Sequence, residues 1–387
     1  MQKRFWQMMA VLSLCVPAFA SANTCAVWPQ WQQFKRDFVS ADGRVIDVGS
    51  PQEHTVSEGQ AYAMFFAMVA NDKPQFERLL RWTEDNLAQG DLSKHLPAWI
   101  WGKNDQGKWG VIDSNPASDA DIWIAYALLE AGDLWQERRY TALGQLLLRN
   151  ILRQETATLP GLGLTLLPAP KGFHPKPEVW RLNPSYVPPQ VFRRFVDRFP
   201  TQTQWTGLLK SSLRLLHESA PKGFAGEWVQ WHAKNGFLID DESKAEGSYN
   251  AIRVYLWLGL MHRDDPSLAT LIATYRPMRD YVAQHGAPPE RIHIQNLTTN
   301  GNLGNASFSA SVVPFLFAAK APELAQQQWQ RSQKLETEQR SGYYGQVLTL
   351  FAQGWYQGYY RFAVNGRLLP AWRGHPKGNA TCFALSE

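Results

Sequence analysis

The sequence predicts an all-α protein: a closed ring of six helical hairpins, with a small β-hairpin appended near the C-terminus. Three observations predict it. Apolar residues recur at helical spacing along nearly the whole chain. Stretches that are apolar on almost every side alternate with stretches apolar on one side, the pattern of dry inner helices and half-wet outer ones. Strand-like alternation is scarce. The 387 residues, 44% hydrophobic and 19% charged, suffice for one large core. No low-complexity tract or Pro/Ser linker divides them, so residues 23–387 form a single domain behind a leader at 1–22.

The leader has Lys3 and Arg4, an apolar run from Met8 to Phe19, and small residues at Ala18, Ala20 and Ala22. This is the pattern of a secretory signal peptide and implies a periplasmic or secreted protein. No later stretch approaches the roughly 20 apolar residues of a transmembrane helix, so no membrane insertion is expected. Loss of Lys3 and Arg4 lowers the formal charge from +5 to +3, and with no basic block nothing points to nucleic acid. Of three cysteines, Cys15 leaves with the signal, and Cys25 and Cys382 remain near opposite ends. In an oxidising compartment they are expected to form one disulfide, the alternative being two free thiols.

Trp28 to Phe38 begins the mature helices, with Trp28, Trp31, Phe34 and Phe38 at helical spacing. Ser57 caps a run through Ala70 that is apolar nearly all round and therefore buried, and Phe76 to Leu87 follows as its amphipathic partner. Asp119 to Ala131 and Tyr140 to Arg153 repeat the pairing. Pro184 to Phe195, Trp205 to Glu218, Tyr249 to Met261, Pro266 to Gln284, Phe308 to Lys320 and Tyr344 to Gln353 continue it, for about twelve helices. Arg361 to Val364 and Leu368-Leu369, around Asn365-Gly366, read as the β-hairpin.

Two helix starts carry chemistry. Ser118-Asp119-Ala120-Asp121 opens one buried helix, with Ser118 as N-cap and both aspartates in the first turn, where exposed amide N–H groups favour negative charge. Two residues along a helix subtend about 200°, so the two carboxylates cannot share a face; one can point into a cleft while the other braces the backbone. Thr55-Val56-Ser57-Glu58-Gly59-Gln60 opens another, with a carboxylate beside a glycine that admits a close neighbour. Each acid alone reads equally as a dipole partner of its helix. Inner helices of a ring, however, can present their N-termini at one rim, where Glu58 and Asp119 would converge across a cleft.

The chain has 17 tryptophans, and many lie in loops among polar residues: Trp99 and Trp101 within Pro97-Ala98-Trp99-Ile100-Trp101-Gly102-Lys103, Trp109, and Trp180 ahead of Tyr186. Such rings suit the C–H faces of sugars, so their clustering favours a carbohydrate groove, although core packing is the default for any single one.

These residues resemble glycoside hydrolase family 8. Ser118-Asp119-Ala120-Asp121 running into Ile124-Ala125-Tyr126-Ala127-Leu128-Leu129-Glu130-Ala131 is similar to the family signature, and Thr55 to Gln60 to its general-acid segment. Arg44-Val45-Ile46-Asp47, Leu96 to Lys103, Asn183-Pro184-Ser185-Tyr186, Ala220-Pro221-Lys222-Gly223-Phe224, Ala251-Ile252-Arg253-Val254-Tyr255 and Gly354-Trp355 are similar to the family's periplasmic endoglucanases associated with bacterial cellulose synthase. The resemblance implies an (α/α)6 barrel and endo-hydrolysis of a β-1,4-glucan (cellulose) chain with inversion. It implies Glu58 as general acid, Asp119 as the second catalytic candidate, and Asn250, Arg253, Trp99, Trp101, Trp109, Tyr186 and Asp121 as substrate-binding residues. No metal or other cofactor is implied, and the cellulose synthase and export complex is the implied partner.

One departure matters. The related endoglucanases carry an aspartate, thought to be the general base, where this chain has Asn250, and an amide cannot take a proton from water at neutral pH. Either another carboxylate serves, Asp119 first with Glu246 or Asp241 as outsiders, or the enzyme is slow, or the protein binds glucan without cutting it. Xylan is a rival substrate; chitosan ranks last, because a basic protein repels a polycation. The motifs of zinc peptidases, phosphate-binding loops and serine hydrolases are absent.

Overall fold

The structure, a computed structural model, describes residues 27–374 and 382–385. The expected leader and Cys25 lie outside the described residues; Cys382 is disulfide-bonded. Thirteen α-helices are present among the described residues: α1 Pro29–Phe38, α2 Ser57–Val69, α3 Lys73–Leu87, α4 Ser118–Leu134, α5 Arg138–Gln154, α6 Pro189–Arg198, α7 Thr203–Glu218, α8 Ile252–Leu260, α9 Leu268–Thr274, α10 Arg276–His285, α11 Ala306–Ala318, α12 Pro322–Glu338 and α13 Tyr343–Tyr356. Helices α2, α4, α6, α8, α11 and α13 touch in that cyclic order, with α13 closing back on α2. Outside them α3, α5, α7, the α9–α10 pair, α12 and α1 each lean on one inner helix. The ring of six hairpins expected from the alternation is therefore closed, with α9 and α10 sharing one outer position because Pro277 interrupts the helix at α10. No helix among the described residues is long and apolar enough to cross a membrane.

The inner helices are dry because their sequences leave no polar side: every residue of α4 except Asp133 is buried. The ring is filled rather than hollow. Phe351 of α13 lies 4.8–5.5 Å from the rings of Tyr62, Phe65 and Phe66 of α2, Trp123 of α4 and Trp257 of α8, mostly edge to face as ring quadrupoles prefer.

The connections place the site. Inner helices pass to outer ones through residues 70–72, 135–137 and 319–321, and each such turn holds one left-handed residue, Asn71, Gln136 or Lys320, at φ 55, 54 and 57°. Return connections are mostly long and carry the strands: β1 Thr55–Val56, β2 Ile100–Lys103 and β3 Trp109–Asp113 in one sheet, β4 Thr156–Leu159 with β5 Gly163–Leu166, β6 Val179–Leu182 with β7 Val229–His232 and β8 Gly236–Ile239, and β9 Glu246–Gly247 with β10 Ile292–His293. Strands are thus more numerous than the sequence suggested, because they are short pairs within loops. Helix α12 was also not expected: its Gln-rich sequence buries only Ala325, Gln328 and Ser332. Ser57 and Ser118 are first helical residues rather than side-chain caps. Their N–H groups donate to the carbonyls of Trp99 and Pro168, both at 2.9 Å, so loop backbone does the capping.

The opposite end of the ring is closed by the expected hairpin, β11 Tyr360–Phe362 and β12 Leu368–Pro370. Its Gly366 has φ 77°, and a Cβ there would meet the carbonyl of Gln190 at 2.0 Å, so no larger residue fits. Glu130, buried on α4, accepts from the Leu368 N–H at 2.8 Å and pairs with buried Arg194 of α6. Arg194 also reaches Asp133 and Asp197, each at 2.8 Å. Arg194→Met strands a buried carboxylate and should cost about 3–5 kcal/mol in denaturant unfolding. Adding Glu130→Gln should recover much of that loss.

Candidate active site

Glu58, Asp119 and Arg253 are each the second residue of an inner helix, α2, α4 and α8 respectively. Their helices end at the same rim, so the three side chains meet there. Arg253 Nη1 donates to Glu58 Oε2 at 2.9 Å, to Asp119 Oδ2 at 3.0 Å and to the Tyr62 hydroxyl at 3.0 Å. Its Nη2 donates to Ser185 Oγ at 2.9 Å and Asn250 Oδ1 at 2.7 Å. Trp257 Nε1 holds the Ser185 carbonyl at 2.9 Å, which fixes that turn against α8. Arg253 is 1% exposed, whereas the Glu58 side chain keeps 19% of its surface open. Beside Glu58, a Cβ on Gly59 would sit 2.4 Å from the Tyr343 hydroxyl, so the glycine admits that ring, as its place in the sequence suggested.

Burial pushes the Glu58 carboxyl up; Arg253 pulls it down and Asp119 pushes it up again, leaving it at about 7. Burial also raises Asp119, against the pull of Arg253. Asp119 further accepts from the Ala120 N–H at 2.8 Å. A carboxyl at about 7 carries its proton through mildly acidic pH, which is the state a general acid needs. Asp119 shares a donor atom with Glu58, so it stands on the acid's own side. A water-activating base of an inverting enzyme stands roughly 6.5–9.5 Å from the acid, across the sugar. Asp119 therefore suits holding the acid's proton and positioning sugar, and the expectation that it activates water does not fit this geometry.

Asp121 does not line the cleft. It is fully buried, turned away from Asp119 as the helical angle requires, and its carboxyl faces that of Glu155. Burial first, then the charge of Asp121, raises Glu155, and burial raises Asp121. The other outsiders are also elsewhere: Glu246 pairs with Arg291 at 2.6 Å, and Asp241 is exposed beside a 470 Å³ surface hollow lined by Gln230 and Leu238.

Trp99 sits between the starts of α2 and α4: its carbonyl takes the Ser57 N–H and its N–H donates to the Asn115 carbonyl at 3.0 Å. The residue is 43% exposed. Trp101 and Trp109 stack at 5.4 Å on the β2–β3 hairpin, with the Arg44 guanidinium over both. Tyr186 lies 5.7 Å from the Arg253 guanidinium. It also lies 5.9 Å from Trp228, which stacks on Phe173 and carries Arg181 at 4.4 Å. Trp228, Ser185, Tyr344 and Glu227 were not singled out in the sequence. Glu227 was legible in principle as an acid between Gly226 and Trp228 in a loop. Its carboxylate accepts from the N–H groups of Ser248, Asn250 and Ala251 at 2.7–3.0 Å and from Asn250 Nδ2 at 2.7 Å.

A carboxyl kept protonated near neutrality at the mouth of an aromatic-walled cleft, in a closed ring of helical hairpins, defines a hydrolase of glycosidic bonds. The chain belongs to glycosyl hydrolases family 8, whose model matches residues 1–358. It is 47% identical over 370 residues to an endoglucanase of Salmonella typhi, covering 95% of this chain and 96% of that one. It is 45% identical to an endoglucanase of Escherichia coli K12, covering 94% and 96% respectively. The structure also matches the crystal structure of an endo-1,4-D-glucanase from Vibrio fischeri ES114, with TM-score 0.83 and 42% identity, over 90% of this chain and all of that one. The ring of hairpins is accordingly the (α/α)6 fold of that family.

With Glu58 read as a general acid, which works protonated, kcat/KM is expected to fall as pH rises through about 7. Asp119→Asn removes a charge that raises Glu58, so the alkaline limb of that profile should move to lower pH. An unmoved limb would show that Asp119 does not tune the acid.

Proposed function

We propose that the protein is an inverting endo-β-1,4-glucanase acting on cellulose or soluble β-1,4-glucan outside the cytoplasm, in support of cellulose synthesis and export. The observation that carries this reading is the Glu58–Arg253–Asp119 cluster at the rim of the ring, with Glu58 held at about 7. Glu58 gives its proton to the glycosidic oxygen as the C1–O bond breaks, and water attacks C1 from the opposite face. Arg253 orients Glu58 and Asp119 through one nitrogen. Trp99, Trp101, Trp109, Tyr186 and Trp228 offer ring surfaces along the groove. Near-full-length likeness to curated endoglucanases supports the substrate class. A disulfide-bonded Cys382 and the signal-like leader support export to an oxidising compartment. The place beside the cellulose synthase complex rests on the motif resemblance.

Asn250 favours one second reading, a glucan-binding protein that cuts slowly or not at all. One assay separates them: viscosity loss and reducing ends on carboxymethylcellulose, with xylan in parallel and product anomers followed by NMR. Glu58→Gln should leave cello-oligosaccharide binding nearly intact and lower turnover by about 10²–10⁴-fold. Binding by the wild type without product would support the second reading, and near-normal turnover by Glu58→Gln would remove Glu58 as the acid.

A further inference from the structure

We propose that Glu227 is the carboxylate that activates water in this enzyme, with Asn250 as the amide that holds it in place; the proposal rests on the inverting reading above. An inverting site needs a second carboxylate across the sugar from the acid. Asp119 is excluded by sharing Arg253 Nη1 with Glu58. Asn250 has no proton-accepting form at neutral pH. Among the described residues, the hydrogen bonds of Arg253 and Asn250 reach three carboxylates: Glu58, Asp119 and Glu227. Glu227 is the one separated from Glu58, by the guanidinium and then the amide.

The Asn250 amide has one orientation. Its Oδ1 faces the Nη2 donor of Arg253 and its Nδ2 faces Glu227 Oε2, each at 2.7 Å, and the reverse placement would set donor against donor and oxygen against carboxylate. Glu227 is half-buried and stands off the start of α8, where the N–H groups of Ser248, Asn250 and Ala251 hold its Oε1. Oε2 takes Asn250 Nδ2 and a share of the Asn250 N–H, and is the oxygen left to receive a further proton. Tyr344, whose hydroxyl donates to the Tyr249 carbonyl at 2.9 Å, stands beside the start of α8, and the charges of Glu58, Arg253, Asp119 and Glu227 all act on it.

In the step assigned to it, a water O–H bond breaks with its proton passing to Glu227 Oε2. The water oxygen bonds to C1 while the glycosidic bond breaks, and Glu58 protonates the leaving oxygen. The same geometry explains the asparagine. A carboxylate at position 250 would meet Glu227 Oε2 at the distance now spanned by an N–H donor, and one of the two would have to hold a proton.

The test uses the purified protein, cellopentaose and soluble β-1,4-glucan, with Glu227→Gln, Asn250→Asp and the double variant, each checked for thermal unfolding and cellopentaose binding. Glu227→Gln should lower kcat about 10²–10⁴-fold while cellopentaose still binds. Asn250→Asp alone should lower turnover and move the acidic limb of the pH profile upward, since the two carboxylates share a proton. In the double variant amide and carboxylate have exchanged places, so turnover should exceed that of Glu227→Gln by about tenfold or more and the limb should return. Should Glu227→Gln not fold, the limb shift in Asn250→Asp and its return in the double variant decide the matter. Wild-type turnover in Glu227→Gln, or a large gain in Asn250→Asp with none further in the double variant, would overturn Glu227 and leave the hydrolase reading standing. Wild type that binds glucan and releases no sugar would overturn both.

Discussion

The rim of the ring depends on one buried guanidinium. Arg253 brings α2, α4, α8 and the Ser185 turn to a single point with both of its terminal nitrogens in use. Burying a charge is costly unless partners surround it, and here two carboxyl groups, a phenol, a hydroxyl and an amide do so. Lysine at this position would keep the charge and lose the planar fork that serves two sides at once. The same cation sets the chemistry. It opposes the burial that raises Glu58, and Asp119 restores part of what it removes, so the acid stands at about 7 rather than being fixed as a carboxylate or silenced as a permanently neutral acid.

The floor of the ring uses a comparable device for a different end. Arg194 binds Glu130, Asp133 and Asp197, and Glu130 anchors the β11–β12 hairpin through the Leu368 N–H. That cluster closes the ring. The one at the rim leaves part of Glu58 open. The difference follows from the connections: tight turns hold the floor, whereas the rim's long returns supply Trp99, Tyr186, Glu227 and Trp228 to the cleft. Precision at the rim therefore comes from helix ends, and variety in the groove comes from loops.

Much of this was legible in the sequence. The inner helices declared themselves because they are apolar all round, and Glu58, Asp119 and Arg253 lie in motifs at helix starts. What escaped has physical causes. Helix α12 packs by small and amide side chains, so its hydrophobic stripe is faint. The loop strands are two to five residues long, and β1–β2, β6–β7 and β9–β10 join partners distant in sequence. Asp121 looked like a groove residue because it is acidic and near Asp119, yet the helical angle sends it to Glu155. Glu227 escaped because its role is defined by a residue 23 positions away, and no local spacing encodes that contact.

Charge balance at the rim ties these points together. Arg253 is the one cation in hydrogen-bond contact with Glu58, Asp119 and Asn250 among the described residues. With Glu58 protonated, it faces Asp119 directly and, one amide further, Glu227. A second carboxylate at position 250 would crowd three negative groups around one guanidinium and set two of them in contact, driving one to take up a proton. A neutral amide there satisfies Nη2 of the arginine on one side and the carboxylate on the other without adding charge. Position 250 and position 227 are therefore coupled: the identity of either decides whether the other can be ionised, and the asparagine is the complement of the glutamate rather than the loss of a function.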